Sequence, residues 1–440
     1  MNINELKERV IKAIDDNKNL IVKASREIYS TPEFGYKEFK STEITVKFLK
    51  DLGLEVEENI AVTGCRAFMK GGKPGPNVAI LGELDAISCV THKDAVETGA
   101  VHACGHNNQV GGMLGAALGL AQSGILQELA GDVSIIATPS EEFIELEYRA
   151  KLREEGKITY FGGKQELIKK GYFDDVDMAM MFHSSDMGDK HALIDPVSNG
   201  FIGKKIRFIG KESHAGSAPE EGINALNAAM LAINNIHAQR ETFKDSDRVR
   251  VHPIITKGGD IVNSVPDDVQ IESYVRARTI EGMLDSNYKV DRALKAGAMA
   301  VGAKVEITNI PGYLPILDYP EFYELFKNNL LLLGITEDKI IKGGDFTGSF
   351  DLGDVSHLMP IIHPMIGGVK GNLHTRDFEV VDEDRAYILP AKAMALTVVD
   401  LLYNDASIAK NILNNFKPVM TKEKYLDFME SIDKVESFEG

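Results

Sequence analysis

Residues 78–86 read VAILGELDA: an apolar run, VAILG, followed at once by Glu83 and Asp85. A short continuous apolar run fits a strand buried on both faces, as in the parallel sheet of an α/β protein. Two further runs have the same form. VSIIA at 133–137 leads into Pro139-Ser140-Glu141-Glu142, and MAMMF at 178–182 leads into His183. Helical stretches at Gly111–Gln122 and Lys164–Lys170 lie between them, so strands and helices alternate. Open α/β sheets bind ligands outside the carboxyl ends of their strands. The polar groups after the three runs therefore stand at the one edge where they can meet.

Outward from this core, residues 3–30 carry Leu6, Val10, Ile11, Ile14, Ile21, Val22 and Ile28 at helical spacing, ending before Thr31-Pro32. A second helix is expected over 41–52, closed by Gly53. From about 198 the pattern changes. An alternating strand at 203–211, a helix at 223–240, strands at 249–259 and 268–278, a helix near 282–302 and a strand near 304–310 give the order β-α-β-β-α-β. That order is a ferredoxin-like α+β sandwich. After Pro311-Gly312 the first style resumes, with a helix in YPEFYELFKNNLLLLG, the glycine-rich GGDFTGSFDLGDVSH, strand-like MPIIHPMIGG and a helix near 383–403. Residues 405–440 read as a peripheral helical tail. The expected architecture is a catalytic body in two pieces, 1–197 and 312–440, with a mostly parallel sheet flanked by helices, and an inserted domain at 198–311.

At 440 residues the chain exceeds one ordinary core. A net charge of −17 argues against nucleic acid or an anionic membrane as partner, since both are polyanions. The first residues, MNINELKERVIKAIDDNKNL, mix charge into a helical period and do not read as a signal peptide. Three irregularly spaced cysteines, Cys65, Cys89 and Cys104, form no disulfide framework, and a reducing cytoplasm is the expected setting.

The chemistry centres on TGAVHACGHNNQ at 98–109. Cys104 and His106, one glycine apart, offer soft sulfur and borderline nitrogen on one tight turn, a pairing suited to a zinc-like ion. Glu141 and Glu142 at a strand mouth would supply one metal ligand and one general base, and spacing alone leaves open which is which. His183, His374, His357, His363 and His102 are each ordinary alone. They gain meaning jointly, because a two-metal site needs about five protein ligands. His214, in ESHAGSAPEEG of the inserted domain, reads either as a turn residue or as a donor that polarises a substrate carbonyl.

Nine pieces, PEFGYKE, GELDA, HACGHN, TPSEE, the histidine of MMFHSS, HAGSAPEEGINALNAA, GGDIVNSVPD with YVRA, GSFDLGDVSH and NLHT, run in order over nearly the whole chain. Together they resemble the aminoacylase and hippurate-hydrolase type of two-metal amidohydrolase, in the branch with aminobenzoyl-glutamate hydrolase and related dipeptidases. The resemblance implies Cys104, His106, Glu142, His183 and His374 as ligands of two divalent ions, manganese or zinc, with Cys104 bridging them. It implies Glu141 as general base and Asp85 as support for the metal shell. It also implies that His214 reaches across a dimer interface to the scissile carbonyl, and that Asn263 and Arg276 contact substrate. The implied substrate is an N-acyl amino acid or small dipeptide, and the implied assembly a homodimer through the inserted lid and dimerisation domain. The alternative is a catalytically silent relative acting as a binding or regulatory subunit. The chain departs from the pattern at Asn107, where an Asp is frequent, at Glu83, where an Asp is commoner, and at Ser88, where a Pro is frequent. A long charged segment also follows Glu142.

Overall fold

In a computed structural model, which describes residues 1–317 and 319–440, the strand Lys73–Glu83 lies inside a six-stranded sheet. Its neighbours Ala130–Thr138 and Met178–Met180 run parallel to it, and Ile361–Ile362 runs parallel to the latter. Val56–Ile60 and Gly64–Met69 extend the other side antiparallel. The three apolar runs are thus adjacent parallel strands, and every residue from Val78 to Glu83 is buried. A strand covered on both faces has no polar side to show, which is why these runs do not alternate. The helices His106–Gln122 and Leu389–Asn415 complete the core with residues such as Val110, Leu114, Met394 and Leu396.

The helix expected over 3–30 is two helices, Ile3–Asp16 and Lys18–Tyr29. Asn17 separates them at φ −114°, ψ 15°, with its N–H on the carbonyl of Ile14 and its own carbonyl accepting from Leu20 and Ile21. Asparagine competes with the backbone for hydrogen bonds, so it caps helices more readily than it continues them.

The chain divides into two compact units: residues 1–197, 317–345 and 354–419, and residues 198–316, 346–353 and 420–440. The second unit contains the strands Gly200–Ile209, Arg250–Lys257, Asp268–Ala277 and Lys304–Pro311 and the helices Ala225–Ala238 and Ile280–Met299, in the β-α-β-β-α-β order read from the sequence. Its core joins Phe208, Ile271, Val275 and Val305 of the sheet to Ala228, Ala232, Val290 and Leu294 of the helices.

Three stretches differ from expectation. The return to the first unit falls after Ile316, not at 312, and residues 346–353 and 420–440 pack with the second unit, where the catalytic body was expected to keep them. The tail is also not wholly helical, for Lys434–Glu439 is a fifth strand that pairs antiparallel with Lys304–Pro311. Backbone hydrogen bonds hold it, and of its side chains Phe438 packs against the domain core, so it has no apolar period to read.

Candidate metal centre

Gly105 makes the turn that brings Cys104 and His106 together. It sits at φ +83° as the N-terminal cap of the helix His106–Gln122, a conformation that costs glycine little. A Cβ there would lie 3.0 Å from Cβ of Ser184, so the turn is also closely packed. Cys104 ends in the pocket with its Sγ 3.4 Å from Nε2 of His183 and 3.2 Å from Nε2 of His374. His183 follows the third strand, and its Nδ1 lies 2.8 Å from the carbonyl of Ser184, which leaves Nε2 facing the thiol. His374, at φ +62°, is anchored by its backbone N–H on the carbonyl of Ala103 and places Nε2 3.0 Å from Oε1 of Glu142.

Asp85 ties the two halves of this arrangement. Its backbone carbonyl takes Nδ1 of His106 at 2.8 Å, and its carboxylate accepts the backbone N–H of Glu142 at 2.8 Å. A carbonyl only accepts, so Nδ1 of His106 carries a hydrogen, and Nε2 is the ring atom that faces inward. That Nε2 lies 3.2 Å from Oε2 of Glu83 and 3.8 Å from Oε2 of Glu141.

The donor atoms form three overlapping groups, each within 4.8 Å: Cys104, His106 and His183; Cys104, Glu142 and His374; Glu83, His106 and Glu141. Cys104 is common to the first two. All members but His374 are buried. Nε2 of His106 and Oε2 of Glu83 carry no hydrogen bond, and buried polar atoms left this way ask for a cation. The donor set of thiolate, imidazole and carboxylate suits divalent transition ions, so the residues present fit a pair of such ions.

Without a metal the histidines take over the balancing charge. Burial and Glu142 push the Cys104 thiol up, but the imidazoles of His374, His106 and His183 outweigh them and bring it down to about 6. Burial likewise raises the Glu142 carboxyl, and His374 more than reverses this, to about 2. His374 in turn is raised to about 12 by Glu142 and then Cys104. The anionic donors are thus held ionised, the form in which they bind metal.

All five expected ligands, Glu141 and Asp85 come together in the first unit. His214, Asn263 and Arg276 belong to the second. There, the exposed His214 accepts on Nδ1 from the N–H groups of Gly216 and Ser217, and Ala215 donates to the carbonyl of Asn263, so these two loops are neighbours. Arg276 donates to Oγ of Ser349 at 2.8 Å with its guanidinium 5.2 Å from the ring of Phe201. Among the described residues, His102, His357 and His363 stand outside the donor groups.

Sequence reading missed two residues. Lys164 sits fully buried with Nζ 2.6 Å from Oε1 of Glu83. Arg149, also fully buried, donates to the carbonyl of Glu142 and, at 2.8 Å, to that of Phe161. Neither carries a sequence signal beyond lying in the long segment after the glutamate pair.

The fold and donor set define a metal-capable α/β body joined to a smaller α+β domain. Residues 198–299 match the family described as the peptidase dimerisation domain. Over 445 residues the chain is 29% identical to the Xaa-Arg dipeptidase of Mus musculus, covering 96% of this chain and 94% of that one. It is 24% identical to an N-acyl-L-amino acid amidohydrolase of Geobacillus stearothermophilus, covering 72% of this chain and 82% of that one. Among solved structures it shares its fold with the Bacillus subtilis YXEP protein, described as a dinuclear metal binding peptidase, at TM-score 0.65 and 20% identity, over 87% of this chain and 98% of that one. The chain is thus similar to dipeptidases and amidohydrolases of the type that its motifs resemble.

Proposed function

We propose that this chain is a metal-dependent hydrolase that cleaves the amide bond of a small dipeptide or N-acyl amino acid. The observation that carries the reading is the convergence of Cys104, His106, Glu142, His183 and His374 on two donor groups sharing Cys104, with Glu141 beside them. Two divalent ions held there, zinc or manganese, supply Lewis acidity that makes a water acidic near neutral pH and polarises the scissile carbonyl.

The remaining steps belong to side chains of this chain. Glu141 takes a proton from the attacking water as the oxygen bonds to the carbonyl carbon, and passes it to the departing nitrogen as the C–N bond breaks. The products are a carboxylate and an amine. Asp85 orients His106 through its backbone carbonyl and holds Glu142 through the backbone N–H. In this reading His214 acts as donor to the scissile carbonyl, Asn263 and Arg276 bind the rest of the substrate, and the second unit joins two chains in a homodimer. The dimerisation-domain match supports the last assignment.

Glu141→Gln tests the reading. It keeps the shape and removes the base, so elemental analysis should find two ions per chain in the variant as in the parent. Turnover of dipeptides and N-acyl amino acids by manganese- or zinc-loaded protein should fall by about 10²–10⁴-fold. Full turnover in the variant would remove Glu141 from the mechanism.

A further inference from the structure

Glu83 stands where a buried carboxylate needs a reason. It is completely buried, as is Lys164, whose Nζ lies 2.6 Å from Oε1. Lys164 is brought there by an unusually close chain path. Gly163 donates its N–H to the carbonyl of Ser140, and a Cβ on Gly163 would stand 1.6 Å from the carbonyl oxygen of Pro139, so only glycine lets the segment press against the strand end. A buried ion pair that serves stability alone satisfies its remaining lone pairs with further donors. Oε2 of Glu83 instead carries no hydrogen bond and faces Nε2 of His106 at 3.2 Å, which carries none either. With Nδ1 of His106 committed to the Asp85 carbonyl, Nε2 is the donor atom left to meet the Glu83 oxygen. Donors about 2.0–2.2 Å from a tetrahedral ion stand ~3.3 Å apart. The Glu83–His106 separation is that of two ligands on one cation.

We propose that Glu83 is a further metal ligand, sharing a cation with His106, and that Lys164 positions it by holding its other oxygen. This rests on the two-metal reading above. It gives the second carboxylate oxygen a cation and accounts for the inclusion of Glu83 and His106 in a third donor group with Glu141. It also gives the glutamate at this position a use: its extra methylene over aspartate lets one carboxylate bridge Lys164 and the ion.

The test replaces the pair together, Glu83→Leu with Lys164→Met, so that no net charge is added and the lost donor is what differs. Ion content after dialysis and affinity in competition with a chromophoric chelator are read alongside melting of the metal-free protein. The parent should bind two zinc ions. The double variant should keep one and hold the other at least ~10-fold more weakly, while the metal-free protein still melts cooperatively. Should the double variant not fold, Glu83→Asp keeps the charge beside Lys164 and withdraws the carboxylate by one methylene, and should loosen the same ion. Two ions bound at parental affinity, in the double variant or in the folded Asp variant, would overturn the inference alone. A parent chain that takes up no zinc or manganese would overturn the two-metal reading as well.

Discussion

Each unit buries one lysine completely, and the two are handled differently. In the second unit Lys204 meets Asp291 and Asn309, and Asn287 donates to the other oxygen of Asp291. Both carboxylate oxygens of Asp291 have a donor, so the charge itself is satisfied, although Oδ1 of Asn287 carries no hydrogen bond. In the first unit Lys164 takes one oxygen of Glu83, and the other faces Nε2 of His106 without a hydrogen bond. Burying charge is costly unless it is paired and hydrogen-bonded. A closed network of this kind therefore serves the fold, whereas an incomplete one marks where a ligand completes it. The metal centre repeats the second pattern: Oε1 of Glu142 is buried without a hydrogen bond, although Nε2 of His374 lies 3.0 Å from it.

The largest effect should come from breaking the closed network. Lys204→Met strands Asp291 inside the second unit, and urea unfolding should show a loss of ~3–5 kcal/mol. Adding Asp291→Leu should recover most of it, since an apolar pair of similar volume often replaces a buried ion pair at little cost. Neither change should alter ion affinity. In the Glu83–Lys164 pair the apolar replacement should instead register in ion affinity. Equal shifts in both readouts at both lysines would dissolve the distinction between the two networks.

A smaller effect separates buried carboxylates that have a cation from one that does not rely on it. Glu38 is fully buried and accepts from the N–H of Ser140 and from the hydroxyl of Thr63. Burial, and then the negative charge of Asp85, raise its carboxyl from 4.5 to about 8. Below the lower value both folded and unfolded chains carry the proton, and the group is neutral with respect to stability. Between the two values the folded chain keeps a proton that the unfolded chain has released, so stability falls as pH rises, by up to ~1.4 kcal/mol per pH unit. Glu38→Gln removes that proton equilibrium and should flatten the decline in metal-free protein from about pH 5 to about pH 8. An unchanged slope would place the titration elsewhere.

What the sequence disclosed follows the same division. Doubly covered strands announce themselves as unbroken apolar runs, and Glu83, Asp85, Glu141, Glu142 and His183 were readable because each directly follows one. Cys104 and His106 were readable from a single turn. Lys164 and Arg149 were not, because they act on Glu83 and Glu142, 81 and 7 residues away, and leave no periodic trace. The strand Lys434–Glu439 escaped notice for a related reason: its pairing with Lys304–Pro311 runs through the backbone, which every sequence possesses. The break at Asn17 was legible in principle, as a capping residue inside an apolar period, but the period on either side concealed it.

The smallest effect tests an ion pair that water reaches. The long segment after Glu142 is held inside by Arg149 and outside by Lys37, whose Nζ lies 2.7 Å from Oε1 of Glu145 and 4.1 Å from the ring centroid of Tyr148. The Lys37 and Glu145 side chains are 36% and 31% exposed, so solvent and salt screen their attraction. Glu145→Gln should cost ~0.2–1 kcal/mol at low ionic strength and almost nothing in about 1 M salt. Arg149→Met removes a buried donor from the carbonyl of Glu142 and should cost ~1–3 kcal/mol at either ionic strength. It should also lower turnover, because Glu142 and its neighbour Glu141 share that backbone. If Glu145→Gln instead proved the costlier change and resisted salt, the segment would be fastened from its surface, and the buried guanidinium would lose its part in holding the glutamate pair.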